Sequence, residues 1–594
     1  MAHPREVGPA DLYRLTRRWL AILGGGFAPG ALAGIHLAGL IFFLNPGLPF
    51  AVGPVLRGVA VYGALLGSVS LALQLPFTWR HPRRALRALP WGLTAALGLA
   101  ALLDWTHASY YAYYLPTGIN DRLIKTALWL SLGALIAFYT ALLHSLHRRR
   151  YGLRSRLGLP LIALLSIYAM VERREAFHPR PAAAPRPAAV ESGSLPRLWV
   201  IGIDSATLDA ILPLAGQGRL PFFASVLQNG AYGRLESLSP VRRDALWTTL
   251  ATGKYPFKHG VTGQRPYRAG FLAPGAELRL LPTGLSFRRW GTLGQGQLPA
   301  PRHPRKALAL WEILPRLGVP AGVVSWPAAE PASGEAAFAL ADRYFQVPPE
   351  PGSAWPADLF DRGQLFRPNE RDLEASLQGR FGPRPSRSLL ASLTGDAWRE
   401  SLALALAKQS PQVKAVFLVL PGLRQVSRDS FGGFSRVQFE GAKGNAARAA
   451  ADRVTAYYAQ LDAFLGEVWS GEREPRLLAV VSAYGASPVG GWPRLWQGVA
   501  PAAAVGGAFA DDPDGVLLFY GDGVQPGALV TGAQLEDLAP TLLYGLGFPV
   551  ARDFDGQVLT SVFAKQFLAR NPLTFFPSYE GLEPGGEAGS RKGR

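Results

Sequence analysis

The sequence predicts an N-terminal bundle of about five membrane-spanning helices, followed by an α/β domain whose mainly parallel sheet is covered by helices on both faces. Three observations carry this expectation. Five apolar runs crowd the first 171 residues, a Pro- and Ala-rich stretch without apolar periodicity follows, and β-rich runs then alternate with helical ones over about 400 residues.

Each apolar run can be justified in turn. Trp19–Leu44, Gly58–Trp79 and Thr126–His147 contain no acidic residue, lysine or arginine. They are long enough to cross about 30 Å of hydrocarbon at about 1.5 Å per residue. Ala88–Leu103 and Leu157–Val171 are shorter, near the lower limit, and are either spans or re-entrant segments. The first run is too long for a cleaved signal peptide. Its lone His36, and His107 beside the third run, read as packing or interface residues before any proton-relay role.

Arginine placement sets the expected orientation. The net charge is +19, and much of it falls in three clusters: Arg5, Arg14, Arg17 and Arg18; Arg80, Arg83, Arg84 and Arg87; and Arg148 to Arg150 with Arg154 and Arg156. Each cluster borders an apolar run. With the N-terminus in the cytoplasm, five crossings place all three inside and the loops Asn45–Arg57 and Asp104–Lys125 outside. The chain beyond the fifth crossing is then extracytoplasmic (periplasmic or extracellular). A nucleic-acid partner would call for basic residues interleaved with aromatics on a folded face, a pattern the clusters do not have. Cysteine is absent, which excludes disulfides, Cys–zinc sites and a Cys nucleophile together.

The expected organisation is a polytopic transmembrane domain over 1–171, a semi-extended tether over 172–196, an α/β domain over 197–580, and a disordered tail over 581–594. Within the α/β domain LWVIGID (198–204), AVFLVL (415–420), RLLAVVSAYG (476–485) and GVLLFYGDG (515–523) read as strands. RLPFFASVLQNG (219–230), VTAYYAQLDAFLGEVW (454–469) and LEDLAPTLLYGLG (535–547) read as helices. Ligands of such sheets sit at the carboxyl ends of strands. Asp204, Arg424, Ala483 and Tyr484 fall at or just beyond such ends. Residues 263–306 read as an insertion over the sheet's functional edge, shaping either substrate access or partner docking.

The stretch RRDALWTTLATGKYPFKHG (242–260) starts a helix near Arg243 and stops it at Gly253. TGKYP lacks the glycine and the Ser/Thr of a phosphate-binding loop, and no HExxH occurs. A cation at a helix N-terminus opposes the dipole by about 0.3–1 kcal/mol unless an anion is near; Asp244, Asp204 and Asp511 are the candidates.

VIGIDSAT, RLPFFASVLQNGAYGRLESLSP, ALWTTLATGKYPFKHGV, ALWEILPRLGVPAGVVSWPAAEPA, DGVLLFYGDGVQPG and LEDLAPTLLYGLGFPVARDFDGQVL occur in order between about 197 and 580. On these segments the domain resembles the alkaline phosphatase superfamily, in its type I phosphodiesterase/nucleotide pyrophosphatase branch. The layout of spans before the domain is similar to that of lipoteichoic acid synthases and phosphoethanolamine transferases. The resemblance implies two zinc ions and a Ser or Thr nucleophile activated by them. Carried onto this chain, it matches the first acid as Asp204. It puts Arg243 at the nucleophile position, Arg424 and Arg428 at an Asp-x-x-x-His pair, Ala483 and Tyr484 at an Asp-His dipeptide, and Asp511 at the last histidine.

A histidine census supports the same reading without alignment: beyond residue 171 only His178, His259 and His303 occur. His259 matches a position that is not a metal ligand in the family. No metal site and no cofactor are therefore expected, and the domain reads as a pseudoenzyme. Three readings of the substituted site stay open. Arg–Asp pairs form a structural plug; or Arg243, Arg424 and Arg428 bind a phosphate, carboxylate or lipid head group; or residual phosphoester chemistry uses a hydroxyl from Ser205, Ser239, Thr248 or Thr249. About +1 formal charge remains either way, for two divalent metals against three carboxylates or for three arginines against Asp204 and Asp511. The expected partners are the bilayer, an anionic or phosphorylated ligand and a membrane protein.

Overall fold

The computed structural model describes residues 9–79, 82–147, 151–171, 195–299, 305–330, 334–369, 387–472, 475–488, 509–512 and 514–582. The tether over 172–194, the tail beyond 582, His178 and His303 lie outside the described residues. The described chain forms two units, residues 1–178 with 264–300, and residues 179–263 with 301–594.

The first unit is built on α1 (Pro9–Leu44), α2 (Val52–Thr78), α3 (Pro82–Tyr110), α4 (Thr117–Leu146) and α5 (Leu153–Val171). All five are long and apolar enough to cross a membrane. The two short apolar runs become full-length helices because each continues through residues that an apolar count discards. α3 runs on past Asp104 to Tyr110, and α5 begins at Leu153. Gly30 and Gly34, four apart on α1, let α2 approach so closely that a Cβ at either would strike the backbone of Leu66 or Tyr62. Large apolar side chains such as Leu73, Phe77, Leu128, Leu135 and Leu161 point outward.

Residues 264–300, part of the insertion read from the sequence, group by their contacts with the helical unit. Asn45, buried at the end of α1, accepts from the backbone N–H of Arg279 (2.6 Å) and Leu280 (3.0 Å) and donates to the Leu280 carbonyl (2.8 Å). Tyr62 donates to the Gly291 carbonyl at 2.6 Å, and Tyr111 to that of Leu281 at 2.8 Å. His107 Nε2 accepts from the Thr283 N–H at 2.7 Å, which ties α3 to this segment. Beneath these bonds Tyr267, Leu272, Leu278 and Phe287 share one apolar cluster with Ile41, Phe42 and Tyr62. A short segment cannot close its own core, so it borrows the helices' surface.

The second unit is a nine-stranded sheet made of β1 (Arg197–Ile203), β2 (Ala231–Glu236), β3 (Ala321–Trp326), β4 (Phe338–Ala341), β5 (Ala354–Trp355), β6 (Ala415–Leu420), β7 (Arg476–Ser482), β8 (Asp514–Gly521) and β9 (Ala528–Gln534). Their order is β9-β2-β8-β7-β1-β6-β3-β4-β5. Only β8 and β5 run against their neighbours. Alternation along β1 feeds two cores: Leu198 and Val200 point to one face, Trp199, Ile201 and Ile203 to the other. The second face is covered by α6 (Leu208–Gly216), α7 (Pro221–Asn229), α9 (Arg387–Gln409), α10 (Gly422–Glu440) and α11 (Asn445–Gly471). The first is covered by α8 (Arg243–Thr252) and α12 (Leu538–Gly545). The pair α6 and α7 also reaches the hydropathy of a span, bent by 102°, but its apolar faces are spent on the sheet.

Candidate functional site

Five strands, β1, β6, β7, β3 and β4, bring their carboxyl ends to one edge. Asp204 leaves β1 there and is fully buried. Its Oδ2 accepts from Arg243 Nε at 2.6 Å; its Oδ1 accepts from the indole N–H of Trp247 at 2.6 Å and the hydroxyl of Tyr484 at 3.1 Å. The helix α8 makes this possible, because Arg243 and Trp247 are four apart and share a face. Its end falls at Gly253, which takes φ 63° and returns its N–H to Thr249 at 2.8 Å, the stop expected from the sequence. Gly202 lies against the Trp247 ring, where a Cβ would collide with the indole.

Arg243 also bonds Asp342, Nη1 to Oδ2, at 3.0 Å. Asp244 stays farther, at 3.8 Å. Burial works against the arginine's charge, but Asp204 and Asp342 outweigh it and hold its pKa well above the ordinary value. Burial likewise pushes Asp342 up, and Arg243 and Arg399 reverse it, leaving that carboxyl below its usual range. The nitrogen Nη2 of Arg243 is buried with no hydrogen-bond partner among the described residues.

A second layer extends the network. Ser325 sits at a β-bulge in β3 with φ 58°, donates to Asp342 Oδ1 at 3.2 Å and accepts from Arg399 Nε at 2.6 Å. Arg399 Nη2 lies 3.7 Å from Asp342 and its guanidinium covers the Phe345 ring at 4.3 Å. Asp396, one turn earlier on α9, accepts from Tyr457 at 2.6 Å and from the Gly422 N–H at 3.0 Å. Burial raises Asp396 to about 6 despite Arg399.

The structure thus joins Asp204, Arg243 and Tyr484. Arg424 lies over the Tyr484 ring at 5.8 Å, and Arg428 is half-buried one turn on along α10. Ala483 is buried beside Tyr484. Asp511 has its backbone in a short strand paired with Ala486, and its side chain lies outside the description. Asp342, Arg399, Trp247, Ser325 and Asp396 were missed. Asp342 carried one signal, an acid directly after the apolar run FALA, as Asp204 follows β1. Arg399 carried none, being one charge among several in a helix. Two guanidinium groups therefore meet two carboxylates, Asp204, which the sequence pointed to, and Asp342, which it did not.

The hydroxyls of Thr248, Thr249 and Thr252 donate to carbonyls four residues back. His259 Nδ1 accepts from the Val261 N–H at 3.2 Å, so its Nε2–H points to Thr249 Oγ1 at 3.1 Å. Burial lowers its pKa to about 3, with Arg305 adding to the effect. It braces a turn as a neutral ring.

The donor set does not fit a pair of divalent ions. An ion at Asp204 would face a guanidinium and an indole N–H, neither of which can ligate. Among the described residues no three of His, Cys, Asp and Glu are grouped to hold a metal.

A mostly parallel sheet with helices on both faces and a site at the carboxyl ends of its central strands defines an α/β protein of the kind that binds ligands at that edge. Residues 198–495 match the type I phosphodiesterase/nucleotide pyrophosphatase family, and the chain belongs to that family. Similar solved structures include wild-type alkaline phosphatase PafA (13% identity, 64% of this chain and 100% of that one, TM-score 0.39). Another is the murine ectonucleotide pyrophosphatase/phosphodiesterase 5 in an inactive form with AMP (11%, 62% and 100%, TM-score 0.32). A third is the phosphonate monoester hydrolase SpPMH from Silicibacter pomeroyi (15%, 62% and 78%, TM-score 0.34). No curated protein matches the sequence.

Proposed function

We propose that this chain is a membrane-anchored, extracytoplasmic family member with a degenerate catalytic centre, serving a binding or scaffolding role in envelope or lipid-linked processes. One observation supports this above the others: Arg243, at the nucleophile position, bridges Asp204 and Asp342 at 2.6 and 3.0 Å. A guanidinium supplies positive charge to buried carboxylates as a metal would, but it offers no open coordination position and no Lewis acidity. The experiment is metal analysis of the purified full chain, with assays on aryl phosphomonoesters and phosphodiesters in added zinc, manganese or calcium. The expected result is less than stoichiometric metal and no turnover above background. Stoichiometric zinc or manganese, with turnover lost on chelation and in Asp204→Asn, would refute the reading.

A second reading, an active phosphoester hydrolase or lipid head-group transferase with rearranged residues, has one specific support. The Ser205 hydroxyl follows Asp204, is buried with no hydrogen-bond partner among the described residues, and is held at φ 66°. Under this reading Ser205→Ala abolishes any turnover detected. A rate equal to the parent chain's would remove Ser205 from consideration.

A further inference from the structure

Helices α1, α3, α4 and α5 surround a cavity of about 1700 Å³. This exceeds the ~300–1,000 Å³ of ordinary small-molecule sites. Its walls are apolar, with Phe27, Leu32, Ile35, Leu93 and Leu159 among them. Its polar groups come from one end of the bundle, where α3 and α5 begin and α4 finishes. They are Arg87, His144, Ser145, Tyr151, Ser155 and Arg156.

That polar end is ordered by its own bonds. His144 Nδ1 donates to the Thr140 carbonyl at 2.8 Å, and the ring stacks on Tyr151 at 4.3 Å with 10° between planes. Its Nε2 therefore remains an acceptor, 3.5 Å from the Ser155 hydroxyl. Among the described residues that line the cavity there is no carboxylate. Two arginines thus stand at the mouth of an apolar space with no anion among its described walls.

We propose that this cavity binds a phosphate-headed anionic lipid. The head group takes charge-assisted hydrogen bonds from Arg87 and Arg156, and the hydrocarbon lies along α1, α3 and α5. A free anion has no use for the apolar walls, and a neutral lipid has none for the arginines. The site rests on the five helices lying in a bilayer and is independent of the state of Asp204.

The test is native mass spectrometry of the full chain in detergent, with phosphatidic acid, diacylglycerol of the same chains, or inorganic phosphate added. One phosphatidic acid per chain should be retained in preference to diacylglycerol, and excess inorganic phosphate should not displace it. The pair Arg87→Gln and Arg156→Gln should weaken retention by about tenfold or more, since hydrogen bonds to charged groups are involved. Leu159→Trp, which fills the wall and keeps both arginines, should weaken it as well. Equal retention of the two lipids, displacement by phosphate alone, or full binding by either variant overturns the proposal.

Discussion

Asp204 is fully buried, and its nearest cation is the arginine of α8. Removing that cation leaves two carboxylates short of charge, a loss of about 3 kcal/mol or more for a buried pair broken from one side. Arg243→Ala should therefore lower the stability of the α/β unit by that order, read in chemical unfolding. Arg243→Lys should recover only part, because one ammonium cannot reproduce the fork that reaches both Asp204 and Asp342. The neighbouring cluster makes a pH prediction. Burial raises Glu400 to about 8, helped by Asp396 and Glu467, and Asp396 itself to about 6. The folded chain thus holds protons that the unfolded chain releases near 4, so stability falls as pH rises from about 4 to about 8. Glu400→Gln should flatten that slope, matching the parent chain at low pH and exceeding it at pH 8 in unfolding experiments.

Among the elements, the legible ones were those that announce themselves locally. The helix of Arg243 was bounded correctly by its dipole-opposing start and its glycine stop. The strands LWVIGI and AVFLVL are continuous apolar runs buried on both faces. The segment 264–300 was not legible in its placement, because it has no long periodic stretch and its partners lie more than 170 residues away in sequence. Asn45 holds it through three backbone groups of Arg279 and Leu280. Asn45→Ala leaves those groups unpaired in an apolar setting, at about 1–3 kcal/mol for each buried group. Hydrogen exchange should then quicken at 279–283, with the α/β strands unchanged. Unchanged protection there would show that Leu278, Leu281 and Phe287 hold the segment without the amide.

For the whole chain, the orientation expected from the arginine clusters is open to direct labelling, because the protein has no cysteine of its own. Gly47, Gly118 and Gly152 are exposed, with open space where a Cβ would go. Gly47→Cys and Gly118→Cys should react with an impermeant maleimide in intact cells, and Gly152→Cys only after permeabilisation. The reverse pattern would place the phosphodiesterase-like unit in the cytoplasm.

Hydropathy and the two hydrophobic periods sufficed for the five apolar helices long enough to span and for the α/β class, since each is written in neighbouring residues. The count of histidines needed no coordinates at all. Which carboxylate answers Arg243 was decided only by the fold: β1 and β4 are distant in sequence, and the sheet brings Asp204 and Asp342 to the same edge. The same holds for 264–300, whose apolar side chains match no surface until α1 and α2 provide one. Local pattern specifies elements because backbone geometry is local. Partners are specified by packing, which joins residues that the sequence keeps far apart.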